Sequence, residues 1–104
     1  MTPYEAYSKC LEQNKRILEL EDIISTSPQY SYYYVLDIIR GPWKQGENSI
    51  SKNPIWSYKY ANYIIKGPFE KCHPIIFYSD YKDDYINFLK LIKYDINKIS
   101  EWLI

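Results

Sequence analysis

The chain has 104 residues, 46% hydrophobic and 18% aromatic with thirteen tyrosines, and its thirteen basic and thirteen acidic residues cancel to a formal charge of zero. That composition excludes intrinsic disorder, which needs few aromatics and a large net charge, and the length suits one domain with a modest core. Neutrality removes both the positive excess of a duplex-binding protein and the negative excess of a DNA mimic.

Two cysteines, Cys10 and Cys72, are too few for a disulfide framework, and the lone His73 leaves a four-ligand zinc site incomplete. Free thiols in a reducing compartment are expected, with no metal and no cofactor. No apolar run approaches the ~20 residues that span a bilayer, and Met1 is followed by polar Thr2-Pro3-Tyr4-Glu5 rather than by a signal peptide. A cytoplasmic protein with no membrane partner is the expectation.

In chain order, the elements repeat. Thr2, Ser27 and Asn53 each read as a helix N-cap, and Pro3, Pro28 and Pro54 follow at the first helical position, where a missing N–H costs nothing. The first unit, about residues 2–26, sets Thr2-Pro3-Tyr4-Glu5-Ala6-Tyr7 against Ser27-Pro28-Gln29-Tyr30-Ser31-Tyr32 at an offset of 25, with Cys10 answering Val35. The second and third units, about 27–52 and 53–78, agree at an offset of 26 through Ile38-Ile39-Arg40-Gly41-Pro42-Trp43 and Ile64-Ile65-Lys66-Gly67-Pro68-Phe69.

Between cap and glycine lies a helix of about 13 residues. Its Ser31, Val35, Ile38 and Ile39, like Ser57, Ala61, Ile64 and Ile65, form one apolar stripe headed by a small residue. Gly41 and Gly67 are expected to end the helix in the left-handed conformation, with Pro42 and Pro68 forbidding continuation. A second, shorter helix is expected near Glu19–Ile24, Gly46–Ile50 and Lys71–Phe77, where Glu21, Glu47 and His73 share a column. The first unit carries Gln13 and Asn14 where its neighbours have paired isoleucines, a polar face suited to the end of a stack. The fourth unit, 79–104, is degenerate: Tyr85 and Ile92-Lys93 stand for Tyr58 and Ile65-Lys66, and Tyr94–Ile104, with Ile96, Ile99, Trp102 and Leu103, reads as a closing helix. The expected fold is all-α, a short α-solenoid-like stack of about four helix–turn–helix repeats of roughly 26 residues.

The unit Pro-x-x-Ser-Tyr-x-Tyr-(Val/Ala)-x-x-Ile-Ile-(Arg/Lys)-Gly-Pro-(Trp/Phe), closed by an acidic pair and Ile-Ile, resembles a tandem repeat of poorly characterised proteins of tailed bacteriophages and other large DNA viruses. The family pattern has a proline, Ala-Tyr-x-Tyr-Ala, Val-Ile-Lys-Gly-Arg-Trp and then Glu-x-Glu-Pro-x-Ile, and the resemblance covers about residues 2–77. This chain departs from it at Pro42 and Pro68, where the family has arginine. An arginine there that pairs with the following acidic residues is lost from those two units. The resemblance implies a viral protein and a helical repeat, and carries no activity of its own.

Tyr7, Tyr32, Tyr34, Tyr58 and Tyr60 occupy repeat columns and are expected to pack between helices. Tyr30, Tyr33, Tyr63, Tyr78 and Tyr81 fall outside shared columns and, with Trp56, are the candidates for an exposed contact surface, since Tyr and Trp are enriched at binding hot spots. Trp43 and Phe69 read as anchors folding each short helix back. Arg40 and Lys66 suit the end of a helix dipole and are candidate phosphate contacts. Cys72 beside His73 suggests a Cys–His nucleophile, but adjacent helical residues point about 100° apart. Asp80, Asp83 and Asp84 lack the glycine and glutamate of a calcium loop and read as a solvated first turn.

No catalytic residues are assigned. The expectation is a non-enzymatic protein–protein interaction module that binds a host or viral protein and inhibits a host defence, replication or transcription factor; self-association is a further option. The alternative is a protein binding single-stranded nucleic acid or a nucleotide through Tyr58-Lys59-Tyr60, which the zero net charge disfavours.

Overall fold

The computed structural model describes residues 1–103 and is all-helical over them, with no strand among the described residues. Helix α1 spans Pro3–Gln13 and α2 Leu18–Ile24; α3 spans Pro28–Tyr34 and runs on as a π-helical turn over Val35–Ile39. Helix α4 spans Lys44–Ile50, and α5 spans Pro54–Lys59 with its own π-helical continuation, Tyr60–Ile65. A 3₁₀ turn, Glu70–Cys72, leads into α6, His73–Ile76; α7 spans Lys82–Leu91, and a 3₁₀ stretch, Ile96–Trp102, closes the chain. The expected closing helix is thus a tighter 3₁₀ segment, and its last residue, Ile104, lies outside the described residues.

The three caps form as the sequence requires. Thr2 Oγ1 accepts the Glu5 N–H at 3.1 Å while the Glu5 carboxylate accepts the Thr2 N–H at 2.9 Å, a reciprocal capping box. Ser27 Oγ accepts from the Tyr30 N–H at 3.1 Å, and Asn53 Oδ1 from Ile55 and Trp56 at 2.9 and 3.2 Å.

The helix ends differ from expectation. Both glycines have negative φ; the left-handed residues are Asn14, Arg40, Lys66 and Lys93, with φ of 52, 61, 58 and 62°. In α1 and α7 the residue after the left-handed one bonds back five positions, Lys15 N–H to Cys10 C=O at 3.2 Å and Tyr94 N–H to Leu89 C=O at 2.9 Å. In α3 and α5 the left-handed residue makes that five-residue bond itself, Arg40 N–H to Val35 C=O at 2.6 Å and Lys66 N–H to Ala61 C=O at 2.8 Å. The wider π turn accommodates one extra residue. It therefore moves the left-handed position onto Arg40 and Lys66, and it changes the offset from 25 at the head of the first unit to 26 at its tail. Asn14 accordingly matches Arg40, not Ile39.

The units stack into a body of 45 × 21 × 18 Å, with α1 against α3 and α3 against α5. Ser31 and Ser57, both fully buried, let the neighbouring backbone approach. Their hydroxyls donate to the terminal carbonyls of α2 and α4, Ile24 at 3.1 Å and Ile50 at 2.7 Å, which have no partner within their own helices.

A buried tyrosine then ties each unit to the one before. The Tyr34 hydroxyl donates to Glu21 at 2.6 Å, that of Tyr60 to Glu47 at 2.7 Å, and that of Tyr85 meets His73 Nε2 at 2.8 Å. The Tyr60 and Tyr85 oxygens also accept the N–H groups of Trp43 and Phe69 at 2.9 and 3.0 Å. Tyr85 thus stands for Tyr60 rather than for Tyr58. Trp43 and Phe69 are buried with their rings 5.0 Å from those of Tyr34 and Tyr60, the anchoring role expected of them.

Only the first of these ties carries a cation. Arg16 grips Glu21 with Nε and Nη2 at 2.8 and 2.9 Å. Burial pushes the Glu21 carboxyl up, but the Arg16 fork and the Tyr34 hydroxyl outweigh it and hold it below its ordinary 4.5. Pro42 and Pro68 lie 26 and 52 residues further on and offer nothing equivalent. There the second unit keeps a carboxylate bonded to the tyrosine alone, and the third replaces it with an imidazole.

Candidate functional site

The long helices α1, α3 and α5 carry an aromatic strip along one side of the stack. Tyr4 and Tyr7 each sit 5.7 Å from Tyr30, Tyr30 lies 5.8 Å from Tyr33, and Tyr33 lies 5.4 Å from Trp56. Tyr32 closes on Trp56 from the core side at 5.6 Å, and Tyr58 continues to Tyr81 at 6.2 Å. Several of these pairs are edge-on, the favoured arrangement for aromatic quadrupoles. Tyr30, Tyr33, Trp56 and Tyr81 are half-buried, whereas Tyr63 is 59% exposed.

The π turns place a second set of contacts on the strip. The Tyr7 hydroxyl donates to Asp37, in the turn of α3. Tyr63, the matching residue in α5, comes near Tyr32 and Tyr58. Burial raises the pKa of both those tyrosines, and the Tyr63 hydroxyl adds to the effect. The strip therefore crosses unit boundaries through both its rings and its hydroxyls.

Five of the six sequence candidates, Tyr30, Tyr33, Trp56, Tyr63 and Tyr81, belong to this side. Tyr78 does not. It is 83% exposed and packs edge-on against Trp102 at 6.4 Å, at the C-terminal end. Sequence reasoning missed Tyr4 and Tyr7 as members. Tyr30 and Trp56 both stand three residues past their caps, whereas Tyr4 stands two past Thr2 and shares no column with them, so the repeat gave no signal for it. Arg40 and Lys66 are exposed at the left-handed helix ends, where Lys93 joins them as a third basic residue. Lys59 covers the Trp56 ring at 4.8 Å, and Tyr60 is fully buried, so Tyr58-Lys59-Tyr60 presents one ring rather than two.

At the C-terminal end a half-open pocket of about 330 Å³ is lined by His73, Glu70, Tyr94, Lys98, Glu101 and Trp102, among others. Cys72, next to His73 in the chain, is fully buried, and burial pushes its thiol up to about 12, so it stays protonated at neutral pH. His73 gives its Nε2 to Tyr85, and the Cys–His pairing suggested by adjacency does not form. Asp80, Asp83 and Asp84 are exposed, as expected of a solvated turn, and no metal-binding cluster forms among the described residues.

His73 makes the fold acid-sensitive. Burial lowers its pKa from the ordinary 6.5, against the opposing pull of Glu70 and Glu101. Below pH 6.5 the unfolded chain takes up a proton that the folded chain refuses, so stability is full above that pH and declines as pH falls. Glu21, whose pKa is lowered, adds a second loss below 4.5. Thermal melts on descending pH should show the midpoint falling from near pH 6.5, and His73→Gln should abolish that first decline. A wild-type midpoint that held steady well below pH 6 would refute this assignment.

Compared with known proteins, the chain matches no family model, no curated protein and no solved structure. No described helix is long and apolar enough to cross a membrane.

Proposed function

We propose that the chain is a non-enzymatic protein-interaction module and that the aromatic strip is its contact face. The carrying observation is the continuity of the strip: Tyr4, Tyr7, Tyr30, Tyr33 and Trp56 touch in sequence across three units, with exposed Tyr63 beside them. Rigid, half-buried Tyr and Trp rings lose little conformational freedom on binding and suit a desolvated interface centre. The resemblance to repeats of phages and large DNA viruses extends the proposal to a host factor of defence, replication or transcription, occupied and thereby inhibited. A single-stranded nucleic-acid partner ranks second, because Tyr60 is unavailable for stacking and Lys59 is spent on Trp56.

The test is quantitative capture from host-cell lysate by the wild type and by the double variant Tyr4→Ser/Tyr63→Ser. Both residues are mostly exposed, so the variant should melt with the wild type. A stoichiometric partner should be retained by the wild type and weakened about 30-fold in the variant, the effect of losing roughly 2 kcal/mol of hot-spot contact. Equal retention by both, or no stoichiometric partner from a well-folded protein, would sink the proposal.

A further inference from the structure

One residue that breaks a repeat column, His73, lines the C-terminal pocket. His73 occupies the column in which Glu21 and Glu47 supply carboxylates, and the tie to the next unit's tyrosine asks only for an acceptor there. The Tyr85 oxygen accepts the Phe69 N–H at 3.0 Å and meets His73 Nε2 at 2.8 Å, and the imidazole tautomer is assigned from the other two ties, in which the tyrosine hydroxyl donates. In that tautomer the neutral imidazole carries its proton on Nδ1. An ionised glutamate has a second oxygen but no N–H to donate.

His73 is only 5% exposed, and its Nδ1 makes no hydrogen bond among the described residues. No polar side-chain atom shut off from solvent lacks a partner among the described residues. His73 is also one of the residues that line the pocket, which is where an unbonded Nδ1 meets solvent. Around this donor stand groups of both signs. Glu70 and Glu101 bring two carboxylates and Lys98 one ammonium, none of them in an ion pair among the described residues. Lys98 Nζ is held 5.7 Å over the Tyr94 ring, and Trp102, stacked on Phe77 at 5.6 Å, forms a rigid aromatic wall.

We propose that this pocket binds a free α-amino acid with an apolar side chain. The ligand carboxylate meets the Nδ1–H of His73 and the Lys98 ammonium, its ammonium meets Glu70 and Glu101, and its side chain lies against Trp102 and Tyr94. The volume of about 330 Å³ sits at the small end of the range for ligand sites, which matches a ligand of this size. An isolated anion or cation leaves one sign of the lining unanswered; a zwitterion answers both.

The experiment follows the Trp102 indole N–H and the His73 ring by NMR during titration with L-leucine and L-phenylalanine, with N-acetyl-L-leucine and L-leucinamide in parallel. Saturable shifts at about 1–10 mM are expected for the free amino acids, and binding at least about 10-fold weaker for both blocked forms. The variant His73→Glu restores the acceptor used in the other units, so it should keep the fold and lose binding by about 10-fold or more. Should that variant not fold, Lys98→Gln on the exposed rim should fold and weaken binding about fivefold or more. Absence of saturable shifts, equal shifts with the blocked forms, or unchanged binding in the folded variant each overturns the proposal.

Discussion

Replacing Tyr60 by alanine is expected to remove most of the stability of the protein. Tyr60 is fully buried, with its ring 5.0 Å from that of Phe69. Truncating such a ring costs about 3–5 kcal/mol through lost transfer energy and the cavity left behind. The hydroxyl serves two partners, accepting from the Trp43 N–H at 2.9 Å and donating to Glu47 at 2.7 Å. Leaving the buried N–H unpaired adds about 1–3 kcal/mol. A domain of this size has roughly 5–15 kcal/mol in all, so Tyr60→Ala should lie at or near the unfolding threshold. Tyr60→Phe keeps the ring and should cost only about 1–3 kcal/mol. Urea denaturation of the pair separates ring from hydroxyl. A Tyr60→Ala loss below about 2 kcal/mol would contradict the assignment of this residue as the tie between the second and third units.

The second large effect is expected at Gly46, on the buried face of α4. A Cβ built there lies 2.5 Å from Cε3 and 2.8 Å from Cζ3 of Trp43, and 3.2 Å from Cβ of Ser31. The indole cannot swing away. It is 95% buried by its 5% exposure, packs against Tyr34 at 5.0 Å, and its own backbone N–H is held by Tyr60. Ser31 is equally fixed, since its hydroxyl is bonded to the end of α2. Alanine gains about 1 kcal/mol of helix propensity over glycine, yet here that gain is opposed by a clash worth about 1–3 kcal/mol. Gly46→Val, with two further methyl groups and poorer propensity, should cost about 3 kcal/mol or more. Thermal melts of Gly46→Ala and Gly46→Val should fall in that order below the wild type. A Gly46→Ala protein more stable than wild type would show that Trp43 can yield.

How much of this was legible in the sequence depended on whether a feature was local. The caps at Thr2, Ser27 and Asn53 involve only neighbours within three residues, and they form as read. The short helices appear within two residues of their expected limits, because their apolar columns follow from the repeat itself. The helix ends were misread because the glycines looked sufficient to stop each helix. The π turn is set by how the whole helix seats on its neighbour, and it delivered Arg40 and Lys66 to the left-handed position instead. The Tyr–Glu ties were visible as two columns, but nothing in either column says that one reaches the other. The aromatic strip was half-read for a related reason. Its members were chosen as residues that break columns, whereas Tyr7 and Tyr32 are column residues that also turn toward it.

The direction of those ties bears on how the chain acquires its structure. In each tie the acceptor precedes the tyrosine, Glu21 before Tyr34, Glu47 before Tyr60 and His73 before Tyr85, by 12 or 13 residues. Contacts so close in sequence close small loops, and chains dominated by such contacts fold fast. During synthesis the socket leaves the ribosome first and the next tyrosine arrives to find it already built. The stack can therefore grow from its N-terminal unit as it is translated, each completed unit serving as the template on which the following one docks.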